Sequence, residues 1–356
     1  MKVGIVLPRG MHFSADGATS IDVTARDLVL NSKFRHATYV VGAAVGNAFE
    51  DVDFRPIKAS SQNDFMAKTT VILREDIPDV IIVHQHSESA NHVARTLPGV
   101  PVLLHRHGLL RHKKGILSRW RKRKQLKHLA GIIFVSDFLR RSFLENHPEY
   151  GSKCVVVYNG IDTSFWTLTK DKKNQITFVG RAREDKGIYL VLNAFKSIKP
   201  EGWQLRLVLA VRTIEERKLA DRIHSEFSST DRIVIQENLT QTGVRDVLAK
   251  SKIVAVPSIV EEGFHRVIIE AQACGCTVIA SAYGGAPEAG GNVCQYIQSA
   301  SVDEMQHELK AAFIRLTSNE QMMNNLGKQS RLRIENEFSI QRIADRYDQL
   351  ISNTVA

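Results

Sequence analysis

The chain has 356 residues, 43% hydrophobic and 24% charged, which suits about two domains of ~100–200 residues and excludes a disordered chain. Residues 1–8 turn polar too soon for a signal peptide, no stretch reaches the roughly 18–20 apolar residues of a spanning helix, and Cys154, Cys274, Cys276 and Cys294 form no disulfide or zinc spacing, so a reduced, cytoplasmic protein is expected. The net charge of +10 is local: residues 111–128 hold nine Lys/Arg and no acid, against 39 basic and 38 acidic residues elsewhere.

In chain order, short β-branched runs predict strands at 3–7, 37–41, 80–83, 102–104, 132–135 and 154–157. Their continuous apolar character is that of parallel strands covered on both faces. Helical patterns lie between them at 19–30, 64–73, 89–96 and 137–145, the last capped at Ser136-Asp137. After the turn-rich run Asn159-Gly160-Ile161-Asp162 the alternation restarts, with strands at 176–179, 205–209, 233–236, 253–256 and 278–280. Helices follow at 187–198, 213–227, 242–250 and 266–274, and from 301 onward the period is helical throughout. The expected architecture is α/β: two Rossmann-like, doubly wound parallel-sheet domains, 1–164 and 165–338, followed by a final helix at 339–356.

Ligands of such sheets bind beyond the carboxyl ends of the strands, so the residues after each strand are the candidates. Gly180-Arg181-Ala182-Arg183-Glu184-Asp185-Lys186-Gly187 places fixed cations between a strand end and a helix start. That suits a pyrophosphate, and equally a solvated loop with a helix cap. Glu262 and Glu270, eight residues apart, stand at and inside the helix that follows Pro257-Ser258. Their carboxylates can take paired hydroxyls of ribose or sugar, or simply charge a helix start.

The run from Pro257 through Glu262-Gly263-Phe264, Glu270-Ala271 and Cys274-Gly275 to Gly284-Gly285-Ala286-Pro287-Glu288 resembles the Glu-x(7)-Glu signature of retaining GT-B glycosyltransferases of family 4. The Gly-Arg-x(4)-Lys-Gly segment at 180–187 lies at the family's usual distance upstream. The resemblance implies a nucleotide-diphosphate sugar donor, UDP- or GDP-linked, held across two facing domains. By position, Arg181 and Lys186 would hold the donor pyrophosphate, Glu270 the ribose, and Glu262, Gly263, Phe264 and His265 the donor sugar. His265 departs from the family's usual small residue there. Gly17 would mark the family's glycine turn near the diphosphate, and His107, in His105-Arg106-His107-Gly108, its sugar-facing histidine; the catalytic set is then His107, Arg181, Lys186 and Glu262. His84 and His86 would line the cleft. Same-face transfer by positioning and charge stabilisation needs no metal and no other cofactor. The final helix would return to the N-terminal domain.

Asp51-Val52-Asp53 reads as a surface turn rather than a metal motif, and Cys274/Cys276 as packing. The basic segment, with Lys113, Lys114, Arg119, Trp120, Arg121, Lys122, Arg123 and Lys124, would form a helix lying on an anionic membrane or meeting an acceptor. A soluble anionic acceptor, nucleic acid, or a solvated helix with Trp120 in the core are the other readings. The expected function is transfer to a glycan or lipid-linked acceptor, in bacterial lipopolysaccharide or other surface-glycan synthesis, with peripheral contact at the inner leaflet and no nucleic acid. A sugar-nucleotide epimerase on the same fold, or a non-enzymatic nucleic-acid binder using the basic helix, are the competitors.

Overall fold

The computed structural model describes residues 1–110, 116–227 and 232–356, with the side chains of 116–119 and 121 outside that description. Two compact units result: Met1–Gly160 with Ile340–Ala356, and Ile161–Ser339.

The first unit runs β1 (Val3–Val6), α1 (Ser20–Asn31), β2 (Thr38–Ala43), β3 (Asp53–Ile57), α2 (Gln62–Glu75), β4 (Val80–His84) and α3 (Ser87–Thr96). It continues with β5 (Val102–Arg106), α4 (Ile116–Leu126), β6 (Gly131–Phe134), α5 (Asp137–Leu144) and β7 (Cys154–Val156). All seven strands are parallel, in the order β3-β2-β1-β4-β5-β6-β7. Burial on both faces explains why β1 and the stretches 80–83 of β4 and 102–104 of β5 read as unbroken apolar runs. Thr19 closes α1 with a capping box to Asp22, and Ser136 caps α5 by accepting from Leu139 N.

The second unit comprises β8 (Lys173–Arg181), α6 (Ile188–Ile198), β9 (Gln204–Ala210), α7 (Ile214–Phe227), β10 (Ile233–Glu237), α8 (Gln241–Lys250), β11 (Ser251–Val256) and α9 (Arg266–Ala273). Then come β12 (Thr277–Ser281), α10 (Ala286–Gly290), β13 (Gln295–Ile297), α11 (Val302–Thr317) and α12 (Glu320–Arg333). Its parallel sheet has the order β10-β9-β8-β11-β12-β13. The core is built on Phe178, Leu190, Leu207, Ile253 and Phe313.

The last helix, α13 (Ile340–Val355), belongs to the first unit, where Ile343, Tyr347 and Ile351 join the core of Val3, Ile5 and Leu28. Asp348, buried on it, accepts from Ser32 Oγ at 2.6 Å and Lys33 N at 2.7 Å. Gly160 passes close to the start of α13, where a Cβ on it would lie 2.7 Å from Ile340 Cδ1 and 3.0 Å from Ile340 Cα.

The unit boundary falls at 160/161 rather than 164/165. Ile161 bridges Ser339, and Arg331 on α12 donates to the carbonyls of Thr163 (3.0 Å), Trp166 (2.6 Å) and Ala273 (2.7 Å), tying 161–166 into the second unit. Two strands escaped the sequence reading, β3 and β13. Asp53 therefore opens an edge strand instead of sitting in a turn, and it ion-pairs with Arg55 at 3.0 Å.

Candidate active site

In both sheets the order reverses beside the first strand of the unit, β1 in one and β8 in the other. Crevices at such switch points are where doubly wound sheets take their ligands. In the second unit the loops concerned are 181–187, after β8, and 257–265, after β11.

These loops are stitched together by their backbones. Ile259 N donates to Asp185 O at 2.8 Å, and Ser258 Oγ lies 3.3 Å from the same carbonyl. Gly187 has φ +75°, and a Cβ on it would lie 2.0 Å from Pro257 O, so only glycine permits this approach. A third loop, after β12, closes on the second: Gly285 N donates to Glu262 O at 2.8 Å, and a Cβ on Gly285 would lie 2.1 Å from Gly263 O. The Gly284-Gly285 pair is thus a packing requirement of the Glu262 loop.

The stitching brings Lys186 Nζ to 2.8 Å from Glu262 Oε2. Ser258 Oγ donates to Glu262 Oε1 at 2.8 Å, and His265 Nδ1 lies 3.4 Å from the same oxygen. Burial alone would raise the Glu262 carboxyl, but the neighbouring charges and the hydrogen bonds from Lys186 and Ser258 outweigh it and hold it below the usual range. Burial pushes His265 down despite Glu262, so at neutral pH the imidazole is neutral and Lys186 supplies the compensating charge. His265 is the buried N-cap of α9, and Phe264 beside it is buried with its ring 6.0 Å from that of Phe338.

Glu270 lies inside α9, where Arg266 Nε donates to its Oε1 at 3.3 Å. Arg181 is half-exposed, with Nε 2.5 Å from Oε1 of buried Glu216. Glu216 also accepts from Arg212 N (2.7 Å) and Thr213 N (3.2 Å), while its own N–H donates to Thr213 Oγ1 at 3.3 Å. Sequence reasoning missed this residue. Its signal is the capping-box spacing Thr213-x-x-Glu216 at the start of α7. Burial raises the Glu216 carboxyl, yet the two N–H groups and Arg181 hold it below the usual range. An open cavity of about 590 Å³ lies between 181–185 and α7, lined by Arg181, Arg183, Lys218 and Arg222 among others.

In the first unit, His107 follows β5 partly exposed, whereas His105 and His84 are buried. His84 is therefore a core side chain and does not line an open surface, and His86 caps α3 by accepting from Ser89 N at 3.3 Å. One ring nitrogen from each of His84, His105 and His107 lies within 4.8 Å of the other two. Gly17 is exposed with φ +88° in the turn before α1.

The predicted basic face is only partly a face. Lys113 and Lys114 lie outside the described residues, as do the side chains of Arg119 and Arg121. Lys122 is turned inward, donating to Ser87 Oγ (2.9 Å) and Gln125 Oε1 (2.8 Å), and Arg123 pairs with Glu149 at 2.6 Å. Trp120 is exposed, with Lys124 Nζ 4.4 Å from its ring centre. Among the described residues no helix is long and apolar enough to cross a membrane.

Two family models match the chain: Glycosyl transferases group 1 over 161–333 and Glycosyltransferase Family 4 over 42–165. The chain belongs to the GT-B glycosyltransferases of family 4. This glycosyltransferase is 27% identical to the alpha-maltose-1-phosphate synthase of Mycolicibacterium smegmatis, over 74% of this chain and 77% of that protein. The same-named protein of Mycobacterium tuberculosis is 28% identical over 58% of this chain, a match that spans 61% of that relative. A lipopolysaccharide 1,2-N-acetylglucosaminetransferase of Salmonella typhimurium is 22% identical over 82% and 77% of the two chains. In fold, the crystal structure of Anabaena HepE in complex with UDP-glucose matches with a TM-score of 0.81 at 15% identity, covering 99% of this chain and 100% of that one.

Proposed function

We propose that this glycosyltransferase moves a sugar, with retention, from a UDP-sugar or another nucleotide-diphosphate sugar to a glycan or lipid-linked acceptor. The observation that carries the reading is the Lys186–Glu262 pair, which joins the loops after β8 and β11 at the switch point of the second sheet. A cation and a carboxylate locked side by side match the two ends of such a donor: phosphate oxygens for Lys186 and Arg181, sugar hydroxyls for Glu262. Glu270 takes the ribose hydroxyls, and His107 meets the transferred sugar. HepE, the fold relative, is solved with UDP and UDP-glucose.

In the reaction the bond between the anomeric carbon and the phosphate oxygen breaks, and the acceptor oxygen bonds to that carbon on the same face. The acceptor proton passes to the departing phosphate. Arg181 and Lys186 stabilise the diphosphate charge as it develops, the role a metal plays elsewhere, so no metal is needed. A surface glycan such as lipopolysaccharide is the proposed acceptor class, on the strength of the Salmonella relative. Exposed Trp120 with Lys124 supports peripheral contact of α4 with an anionic membrane.

Thermal stabilisation by UDP, GDP, ADP and their sugar conjugates tests the donor. At ~100 times its dissociation constant a ligand adds roughly 2.7 kcal/mol. The shift should come from one nucleotide family and vanish in Lys186→Ala and Glu270→Ala. No shift from any nucleotide would remove the reading.

A further inference from the structure

His84 and His107 form an imidazole pair that the roles above do not use. His84 Nδ1 lies 3.0 Å from His107 Nε2, with ring centroids 5.1 Å apart and planes 16° from parallel. The difference between those distances is close to twice the centre-to-nitrogen radius of an imidazole. Both nitrogens therefore lie on the line joining the rings, and each points at the other. That is the geometry of an N–H···N hydrogen bond. A shared metal ion would need lone pairs converging on a third point, which in-line rings do not provide.

The direction of the bond follows from what surrounds His84. Burial pushes its pKa down to about 3, so the ring is neutral and has one proton to place. Its Nε2 is buried with no protein partner among the described residues. An orphaned buried N–H is rarer than an orphaned acceptor, so the proton belongs on Nδ1. A nitrogen that accepts carries no proton, so with Nε2 accepting the His107 ring has its proton on Nδ1. The backbone of the His107 loop is fixed separately. Gln85, at φ +60°, accepts His107 N on Oε1 at 2.9 Å, and the Arg106 guanidinium donates to Gln85 O, to Gly108 O (2.8 Å) and to Leu109 O (3.1 Å).

We propose that His84 is a positioning residue: its Nδ1–H donates to Nε2 of His107 and holds His107 as the Nδ1–H tautomer, which meets a sugar hydroxyl oxygen as a donor and not as a base. The catalytic part rests on the reading of His107 as the sugar contact; the tautomer does not.

The test uses the full chain with ¹⁵N-labelled histidine and long-range ¹H–¹⁵N correlation spectra, with His107 assigned from the His107→Ala spectrum. Wild-type His107 should carry its proton on Nδ1. His84→Leu should mix the tautomers and lower kcat about tenfold with donor KM within about twofold, because a tautomer-fixing partner acts on turnover. His84→Asn, whose amide nitrogen reaches the Nδ1 position, should recover both. A wild-type His107 protonated on Nε2 overturns the proposal, as does a His84→Leu variant with an unchanged His107 spectrum or unchanged kcat. If His84→Leu does not fold, the wild-type spectrum alone decides. If the tautomer is as stated and His107→Ala keeps full activity, the sugar-contact reading falls instead.

Discussion

Glu262 takes Lys186 Nζ on one oxygen and Ser258 Oγ on the other, each at 2.8 Å, so its carboxylate is aimed before any ligand arrives. Buried histidines work in the opposite sense. His84 titrates at about 3 against an ordinary 6.5, and burial places His105 well below 6.5 too. Above pH 6.5 both rings are neutral folded or unfolded, and stability is intact. As the pH falls from 6.5 toward 3 the unfolded chain takes up protons that the folded chain refuses, so stability is lost at about 1.4 kcal/mol per unit per ring. The melting temperature should fall steadily between pH 7 and 5, and His105→Phe should make that slope shallower. A slope unchanged in His105→Phe would mean that its ring protonates in the fold. The residues proposed to hold the donor stood out in the sequence as a motif, because they lie on or just after short loops in fixed spacings. The Arg181–Glu216 and His84–His107 contacts did not, since each joins partners distant in sequence; Glu216 alone shows there only as a helix cap.

At the scale of elements, the three loops of the second unit hold one another through glycines. Gly285→Ala sets a Cβ 2.1 Å from a backbone oxygen that has no side chain to yield. It should destabilise the unit by about 1–3 kcal/mol, as overpacking does, and abolish the nucleotide-sugar melting shift. Gly99→Ala, which meets nothing within 4 Å, should do neither. Equal behaviour of the two variants would remove the bracing role. The strands and helices that the sequence declared were those with long, uniform patterns: β1, β4 and β5 are buried on both faces, and α1 and α5 carry their caps in the sequence. β3 was hidden because Arg55 and Pro56 interrupt it, which its edge position tolerates. β13, three residues long, is too short for any period.

For the whole molecule, the first unit is discontinuous: residues 161–339 fold as a second body between its two parts. Ile343, Tyr347 and Ile351 are 3%, 2% and 1% exposed, and losing them removes roughly 5–9 kcal/mol of burial at about 1.5–3 kcal/mol each. That is comparable to the whole stability of a domain. Deletion of 340–356 should leave the first unit protease-sensitive and dye-binding, while the second resists digestion as an intact fragment. A protease-resistant first unit after the deletion would show that α13 is dispensable to it. The return of α13 also sets an order of events on the ribosome. α1 and β4 precede the second unit in the chain, yet α13, which packs on both, is translated only after it. At ~5–20 residues per second, the second unit, 161–339, alone takes on the order of 10–40 s. Through that interval the apolar strip that Ile343, Tyr347 and Ile351 later close has no cover from its own chain.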